Sequence, residues 1–442
     1  MQDMGTFKET GHPRKGFHPE RLIFYRNIPS DPLIKMVTEL RDLANQEPDL
    51  ARRDRIFYQI SAELVQKAEV YHWQSDLWKH YITLLLAQAE NTFSRTSAWS
   101  QGKKLDQSLI KLTCHDFIWI KEMWDFDFRS LGDWVPGEVV AALKDFNCAY
   151  YDPKQNQLRV FAERISRLCQ GLDQAGHPEE MMAFLTDYYR QAGYGKVGMY
   201  SSFRWEGDEL KGIPYPDPVT LGDLIGYAYQ KEIILQNTEA FIRGKKANNL
   251  LLYGERGTGK SSTIKALVNE YGARGLRLVE VAKNQFASLP DIMSSLRKYP
   301  QRFIIFIDDL SFENNETEYK YLKYILEGGM EVIPDNVVIY ATSNRRHLVQ
   351  ENWQDREGGG EVRLSDSVSE KLSLADRFGI TVTFTSPDQD EFLAIVEGLA
   401  LKNGVDLPKA ELRERALKWE RWHNGRSGRT AKQFINDLLT RL

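Results

Sequence analysis

Three glycines, a lysine and two serines stand together in GERGTGKSS, Gly254 to Ser262, between the apolar run LLLY and the helix-forming run TIKALV. A packed loop has no use for that much backbone freedom, whereas a loop wrapped around a phosphate does. The segment fits GxxxxGK[ST] and predicts a strand before it and a helix after it. Gly254, Gly257 and Gly259 would let successive N–H groups turn onto phosphate oxygens, and the start of the helix would add partial positive charge there. Glu255, Arg256, Thr258 and Ser262 complete the wrapping segment. Lys260 would reach the β- and γ-phosphates of a nucleotide, and the Ser261 hydroxyl would join the shell of a hydrated Mg²⁺.

Such a loop calls for an acidic partner at the end of another buried strand. RFIIFIDDL supplies Asp308 and Asp309. Asp308 is expected to hold Mg²⁺, and Asp309, nearer the γ-phosphate, to orient an attacking water. The competing reading is a pair of strand-end turn residues. A third apolar run, NVVIYATSN, ends in Thr342, Ser343 and Asn344. An uncharged amide there could hydrogen-bond the water or the γ-phosphate, or could simply cap a following helix.

These residues need elements to carry them. From Asn248 onward, short apolar runs (NNLLLYG, LRLVEVA, RFIIFIDD, NVVIYATSN) alternate with helical stretches, the pattern of a parallel sheet covered on both faces. The expected fold class is α/β, a three-layer αβα domain over 216–386, followed by a small helical domain over 387–442. Residues 31–215 read as a mainly helical domain with a linker, and 1–30 as a loose arm. The joint is placed in Gly193 to Leu224, where Gly, Pro and aromatic residues concentrate. Trp73, Trp78, Trp119 and Trp124 read as an aromatic helical core, with a partner-binding face as the alternative.

The 442 residues carry a formal charge of −4, unlike a globally basic nucleic-acid binder. The stretch 409–442 is nevertheless basic, with nine Lys or Arg against four Asp or Glu. Cys114, Cys148 and Cys169 show no metal-ligand spacing and read as reduced thiols. The first twenty residues lack the apolar core of a secretory signal, and no run is long enough to span a membrane. The expected location is the cytoplasm.

Together the three motifs resemble Walker A, Walker B and sensor 1 of the AAA+ ATPases, in that family's order and about 35 to 50 residues apart. The resemblance implies an AAA+ αβα core with a helical lid. It also implies that Ile225, Gly226 and Tyr227, in TLGDLIGYAYQ, line the pocket for the adenine base. In KLSLADRFGITVTF, Arg377 matches the arginine finger, which would act on a neighbouring subunit and so implies a homo-oligomer, plausibly a ring. In NGRSGRTAKQF, Arg429 best fits the sensor 2 arginine, with Arg426 as the fallback. GTGKSS, DDLSFE, ATSNRRHL and LSLADRFGI resemble more closely a bacterial AAA+ group catalogued as a domain of unknown function.

One departure is the Asp-Asp pair where most AAA+ motors carry Asp-Glu, which points to slow hydrolysis. Phe286, the aromatic at the place of a pore loop, reads as a core residue. Glu351 to Ser367 reads as a flexible insertion. The expected activity is Mg²⁺-dependent ATP hydrolysis to ADP, coupled through the N-terminal domain to a macromolecular client, a protein in preference to nucleic acid. The alternatives are a slowly hydrolysing binding switch and a nucleic-acid remodeller.

Overall fold

The computed structural model describes residues 17–44, 49–100, 103–147, 159–312, 318–328, 332–344, 374–423 and 425–441. The insertion at Glu351 to Ser367, Cys148 and the first sixteen residues lie outside them. The chain divides into two compact units, 1–199 and 200–442. No helix among the described residues is long and apolar enough to cross a membrane.

The first unit is helical. Its main helices are α1 (Pro32–Ala44), α2 (Leu50–Tyr71), α3 (Leu77–Ala87), α4 (Thr92–Trp99), α5 (Gln107–Trp124), α6 (Gly137–Lys144), α7 (Arg159–Gln174) and α8 (Pro178–Ala192). Apolar residues at three- and four-residue steps give each an inward face; in α2 these are Ile56, Phe57, Ile60, Leu64 and Ala68. The starts are written locally: Asp49 accepts from the Arg52 N–H, and Asn91 and Ser94 form a capping box. Trp73, Trp78, Trp119 and Trp124 are all at most 4% exposed, so the tryptophans build the core.

The arm expected over 1–30 is packed wherever it is described. Phe17, Leu22, Tyr25 and Ile28 are buried, and Phe17 lies against Trp78 and Phe126. The fully buried Asp116 of α5 explains the order, because its carboxylate accepts from the N–H groups of Ile23, Phe24 and Tyr25. Charge-assisted bonds of this kind offset the burial of an irregular backbone.

The second unit is an α/β domain built on one seven-stranded sheet. Its strands are β1 (Ser202–Glu206), β2 (Glu209–Gly212), β3 (Leu250–Gly254), β4 (Leu276–Glu280), β5 (Arg302–Ile307), β6 (Val337–Ser343) and β7 (Ile380–Phe384). They form one sheet in the order β2-β1-β4-β5-β6-β3-β7. Every pairing is parallel except β1–β2. Helices α9 (Ala228–Ile242) and α10 (Lys260–Tyr271) share a core with one face, through Ile234, Phe241, Ile264 and Leu267 against Leu250, Leu252, Ile304 and Phe306. The intervening Phe303, Ile305 and Ile307 are just as buried, which is why FIIFI, from Phe303 to Ile307, is apolar throughout. Phe286 is fully buried beside Phe312, so it packs the core. Three further helices, α13 (Gln389–Lys402), α14 (Lys409–Trp422) and α15 (Gly428–Arg441), close around their own cluster of Phe392, Val396, Ala416, Phe434 and Ile435. Numbers α11 and α12 denote Leu289–Leu296 and Glu318–Leu326.

The sheet is wider than the sequence reading expects. The hairpin β1–β2 falls in the stretch read as a linker, yet β1 pairs with β4, from Ser202 beside Leu278 to Arg204 beside Glu280. The boundary therefore lies near residue 200, not 215. The turn between the strands is Gly207-Asp208, both at φ near +60°, the backbone of a two-residue hairpin turn.

Candidate functional site

Strand β3 ends in Gly254, and α10 begins at Lys260; the loop between them is shaped by φ values that side chains resist. Gly254 sits at φ +142°, and a Cβ there would lie 1.9 Å from the carbonyl oxygen of Phe384 on β7. A close backbone approach of that kind admits glycine alone. Gly254→Ala should therefore destabilise the chain by about 2–4 kcal/mol through strain and a forced shift of β3 from β7. Denaturant titration checks this, and an unchanged midpoint would contradict it. Gly257, at φ +79°, lies under the lid, where a Cβ would meet Ser427 and Arg429 at 3.1 Å.

Lys260 is 6% exposed. Its Nζ donates to the carbonyl oxygens of Gly254 (2.9 Å) and Glu255 (2.7 Å) and to Asn344 Oδ1 (3.1 Å). Burial lowers the pKa of this ammonium, and the nearby Asp309, Glu255 and Asp308 oppose the shift. The Asn344 amide continues the chain: its Nδ2 donates to Asp309 Oδ1 at 2.6 Å. Asn344 thus bridges the loop lysine and the second carboxylate, so its amide is engaged on both sides; the segment it could cap lies outside the described residues.

Beside it, Ser261 Oγ donates to Asp308 Oδ1 at 2.6 Å. The two residues are 47 apart in sequence and come from α10 and the end of β5. A serine hydroxyl that donates its proton to a carboxylate still presents a lone pair. Hydroxyl and carboxylate oxygens are the hard donors that Mg²⁺ takes, with substrate phosphates completing its shell, so Ser261 and Asp308 fit that ion. Asp309 lies at φ +49°, a left-handed backbone that Asp tolerates better than most residues.

A cleft of about 940 Å³ opens over these groups, lined by Arg256 to Ser262, Asp308, Asp309 and Asn344 below and by Arg429 from α15. Ile225, Gly226 and Tyr227 form one wall. Tyr227 lies 5.1 Å from the Phe384 ring and donates to the Thr385 carbonyl. Gly254 and Glu255 sit at the strand end and do not line the cleft. Of the two candidate lid arginines, Arg429 lines it, and its backbone N–H donates to the Gly257 carbonyl. Arg426 instead pairs with Glu420 at 3.2 Å. Arg377 is not among the cleft-lining residues; it pairs with Glu327 at 3.1 Å and is 46% exposed.

The cleft also holds residues that motif reasoning passes over. Ile395 and Leu399, one turn apart on α13, line its apolar side, with Lys402 and Asn403 at the helix end. Lys402 pairs with Asp223 at the rim. Lys432 stands three residues after Arg429 on α15, the spacing that puts two side chains on one helical face. That spacing was the available signal. Ile225 packs into the lid at Gly398, where a Cβ would come within 2.5 Å of its Cδ1. Most basic side chains of 409–442 are held in ion pairs, although the stretch stays net positive. Lys409 and Arg413 pair with Glu397, Arg415 with Glu411, Lys418 with Glu414, and Arg441 with Asp437.

The chain is 39% identical over 54 residues to the replication factor C large subunit of Methanococcus vannielii, 12% of this chain and 11% of that one. It is similar to solved structures of the RuvB Holliday junction branch migration motor of Thermotoga maritima, at 20% identity and TM-score 0.35, covering 50% of this chain and 66% of that one. A single-residue variant of the same motor gives 21% and 0.35 over the same spans. The chain thus spans about a tenth of the first protein and just under two thirds of the second; its fold rests on the strand order and loop geometry above. Residues 198–442, from the start of the second unit to the last residue, match the family described as "Protein of unknown function (DUF815)", and the chain belongs to that family.

Proposed function

We propose that the chain binds ATP with Mg²⁺ and hydrolyses it to ADP and phosphate, and that it works as a homo-oligomer whose N-terminal helical unit engages a protein client. The hydrogen-bond chain Lys260–Asn344–Asp309, running beside the Ser261–Asp308 bond, carries the reading. It puts a cation, a neutral amide and an exposed carboxylate at the mouth of a glycine loop on a helix N-terminus. In this reading the loop amides and Lys260 bind the phosphate tail, and Ile225, Gly226, Tyr227 and Ile395 enclose the base. Asp309 and Asn344 orient the water that attacks the γ-phosphorus, with Asp309 taking up its proton. Mg²⁺, when bound by Ser261 and Asp308, supplies charge neutralisation of the β- and γ-phosphate oxygens. Arg429 adds a cation from the lid.

A protein client fits better than nucleic acid, because most of the basic side chains of the lid are spent in ion pairs and offer little free charge to a phosphate backbone.

A second reading, a switch that holds ATP and barely turns it over, draws on the short Asp309 side chain and its left-handed backbone. Substitution at 309 separates the two. Asp309→Asn should cut phosphate release by roughly 100-fold or more while ATP affinity stays within about threefold. Asp309→Glu should change turnover little, because the longer side chain gains reach but sits less well at φ +49°. A gain above about tenfold would favour the switch. Wild-type protein that releases no phosphate in Mg²⁺ would remove the enzymatic reading.

A further inference from the structure

By sequence alone Thr342 is one of three polar residues at a strand end. In the structure Thr342 is 2% exposed and grips three consecutive residues of a neighbouring strand's exit. Its Oγ1 donates to Asp308 Oδ1 at 2.6 Å. The same oxygen accepts from the Asp309 N–H at 3.0 Å. Its carbonyl accepts from the Leu310 N–H at 2.7 Å. The β5–β6 register explains the meeting, since Ile307 lies opposite Ala341 and the next residues are Asp308 and Thr342.

The three bonds act where the backbone leaves its strand. Asp309 turns into the left-handed region there, a conformation that persists for a non-glycine residue when its surroundings over-determine it. Asp308 Oδ1 also accepts from Ser261 Oγ and, more weakly, from the Asp309 N–H at 3.1 Å. Thr342 thus shares Asp308 Oδ1 with Ser261, fixes the rotation of that carboxylate, and with the same hydroxyl oxygen holds the peptide that aims Asp309. A hydroxyl that served only to satisfy itself could bond backbone groups alone. This one reaches a carboxylate.

We propose that Thr342 is a positioning residue for the cation site: its hydroxyl sets the Asp308 carboxylate toward Mg²⁺ and couples that setting to the backbone of Asp309. The role rests on the function proposed above. Residues that orient a metal ligand carry about 10- to 100-fold in metal affinity. Removing the hydroxyl should therefore weaken the response to Mg²⁺ while leaving nucleotide contacts alone.

The test compares full-length wild type, Thr342→Val and Thr342→Ser by calorimetric titration of ATP, in EDTA and across a Mg²⁺ series, with thermal unfolding alongside. Valine keeps the branched shape and loses the hydroxyl; serine keeps the hydroxyl. Thr342→Val should raise the Mg²⁺ needed for half-maximal tightening of ATP binding by roughly tenfold. Its ATP affinity in EDTA should match wild type, and Thr342→Ser should stay close to wild type throughout. A valine variant with the wild-type Mg²⁺ response overturns the proposal, as does a serine variant impaired equally. If Thr342→Val unfolds, Thr342→Ala carries the same comparison. Wild-type protein that binds ATP identically with and without Mg²⁺ would instead sink the function proposed above and this role with it. Wild type that responds to Mg²⁺ beside an unaffected valine variant sinks this role alone.

Discussion

Lys260→Ala should bind ATP at least ~100-fold more weakly than the wild-type chain, because about two charge-assisted hydrogen bonds to phosphate are lost at 1.5–3 kcal/mol each. The fold should survive, since the lysine is held by the loop it serves. Its partners are the Gly254 and Glu255 carbonyls and the Asn344 amide, none of which belongs to the packed face of the sheet. An incoming phosphate must compete with those acceptors for the Nζ–H donors of Lys260. Burial lowers the ammonium's pKa, and an added anion beside it would oppose that shift. Calorimetric titration of ATP, with circular dichroism to confirm folding, measures the effect. Equal affinity in the variant would defeat the assignment of this loop as the phosphate site.

The second large effect concerns a residue that is not part of its own cleft. Arg377 pairs with Glu327, stays half exposed and does not line the 940 Å³ cleft of its own chain. If it stabilises the charge that develops on the γ-phosphate, it does so in another copy. Arginine fingers are worth about 10³ or more in turnover, so Arg377→Ala should reduce turnover by about that factor while ATP affinity changes less than about threefold.

A mixing experiment tests the trans geometry directly. Neither Lys260→Ala nor Arg377→Ala should hydrolyse ATP alone. Mixed, an Arg377→Ala subunit supplies an intact phosphate loop and its Lys260→Ala neighbour supplies the finger, so part of the activity should return. An Arg377→Ala variant that turns over normally, or a mixture that stays silent although both variants assemble, would remove the trans role.

How much of this could be read without coordinates differs from residue to residue. Gly254 to Ser262 was legible because a phosphate loop is a local device. Its glycines, lysine and serine are contiguous, and the constraint that selects them, backbone N–H groups turned onto one anion, acts within nine residues. The four apolar runs were legible for a related reason, since a strand buried on both faces has no polar side to interrupt it. Strand β7 and the hairpin β1–β2 were not. ITVTF and SFRWE carry polar residues at alternate positions and sit beside breaker-rich stretches, and only the edges of the sheet they join make strands of them. The packing of Phe17 to Ile28 was hidden too, because it depends on Asp116, some ninety residues away.

What the residues determined by themselves is the chemistry available: a loop shaped for phosphate, two carboxylates and an amide at strand ends, arginines on later helices. Tertiary structure alone decided which of them meet. It set Arg429 along the cleft and Arg426 against Glu420, left Arg377 off the lining of its own chain's cleft, held most basic side chains of 409–442 in ion pairs and placed the Thr342 hydroxyl against Asp308. The reason is physical. Local propensity and motif spacing depend on bonds a few residues long, whereas a hydrogen bond between residues 34 apart depends on strand register, and register is set by the packing of the whole sheet.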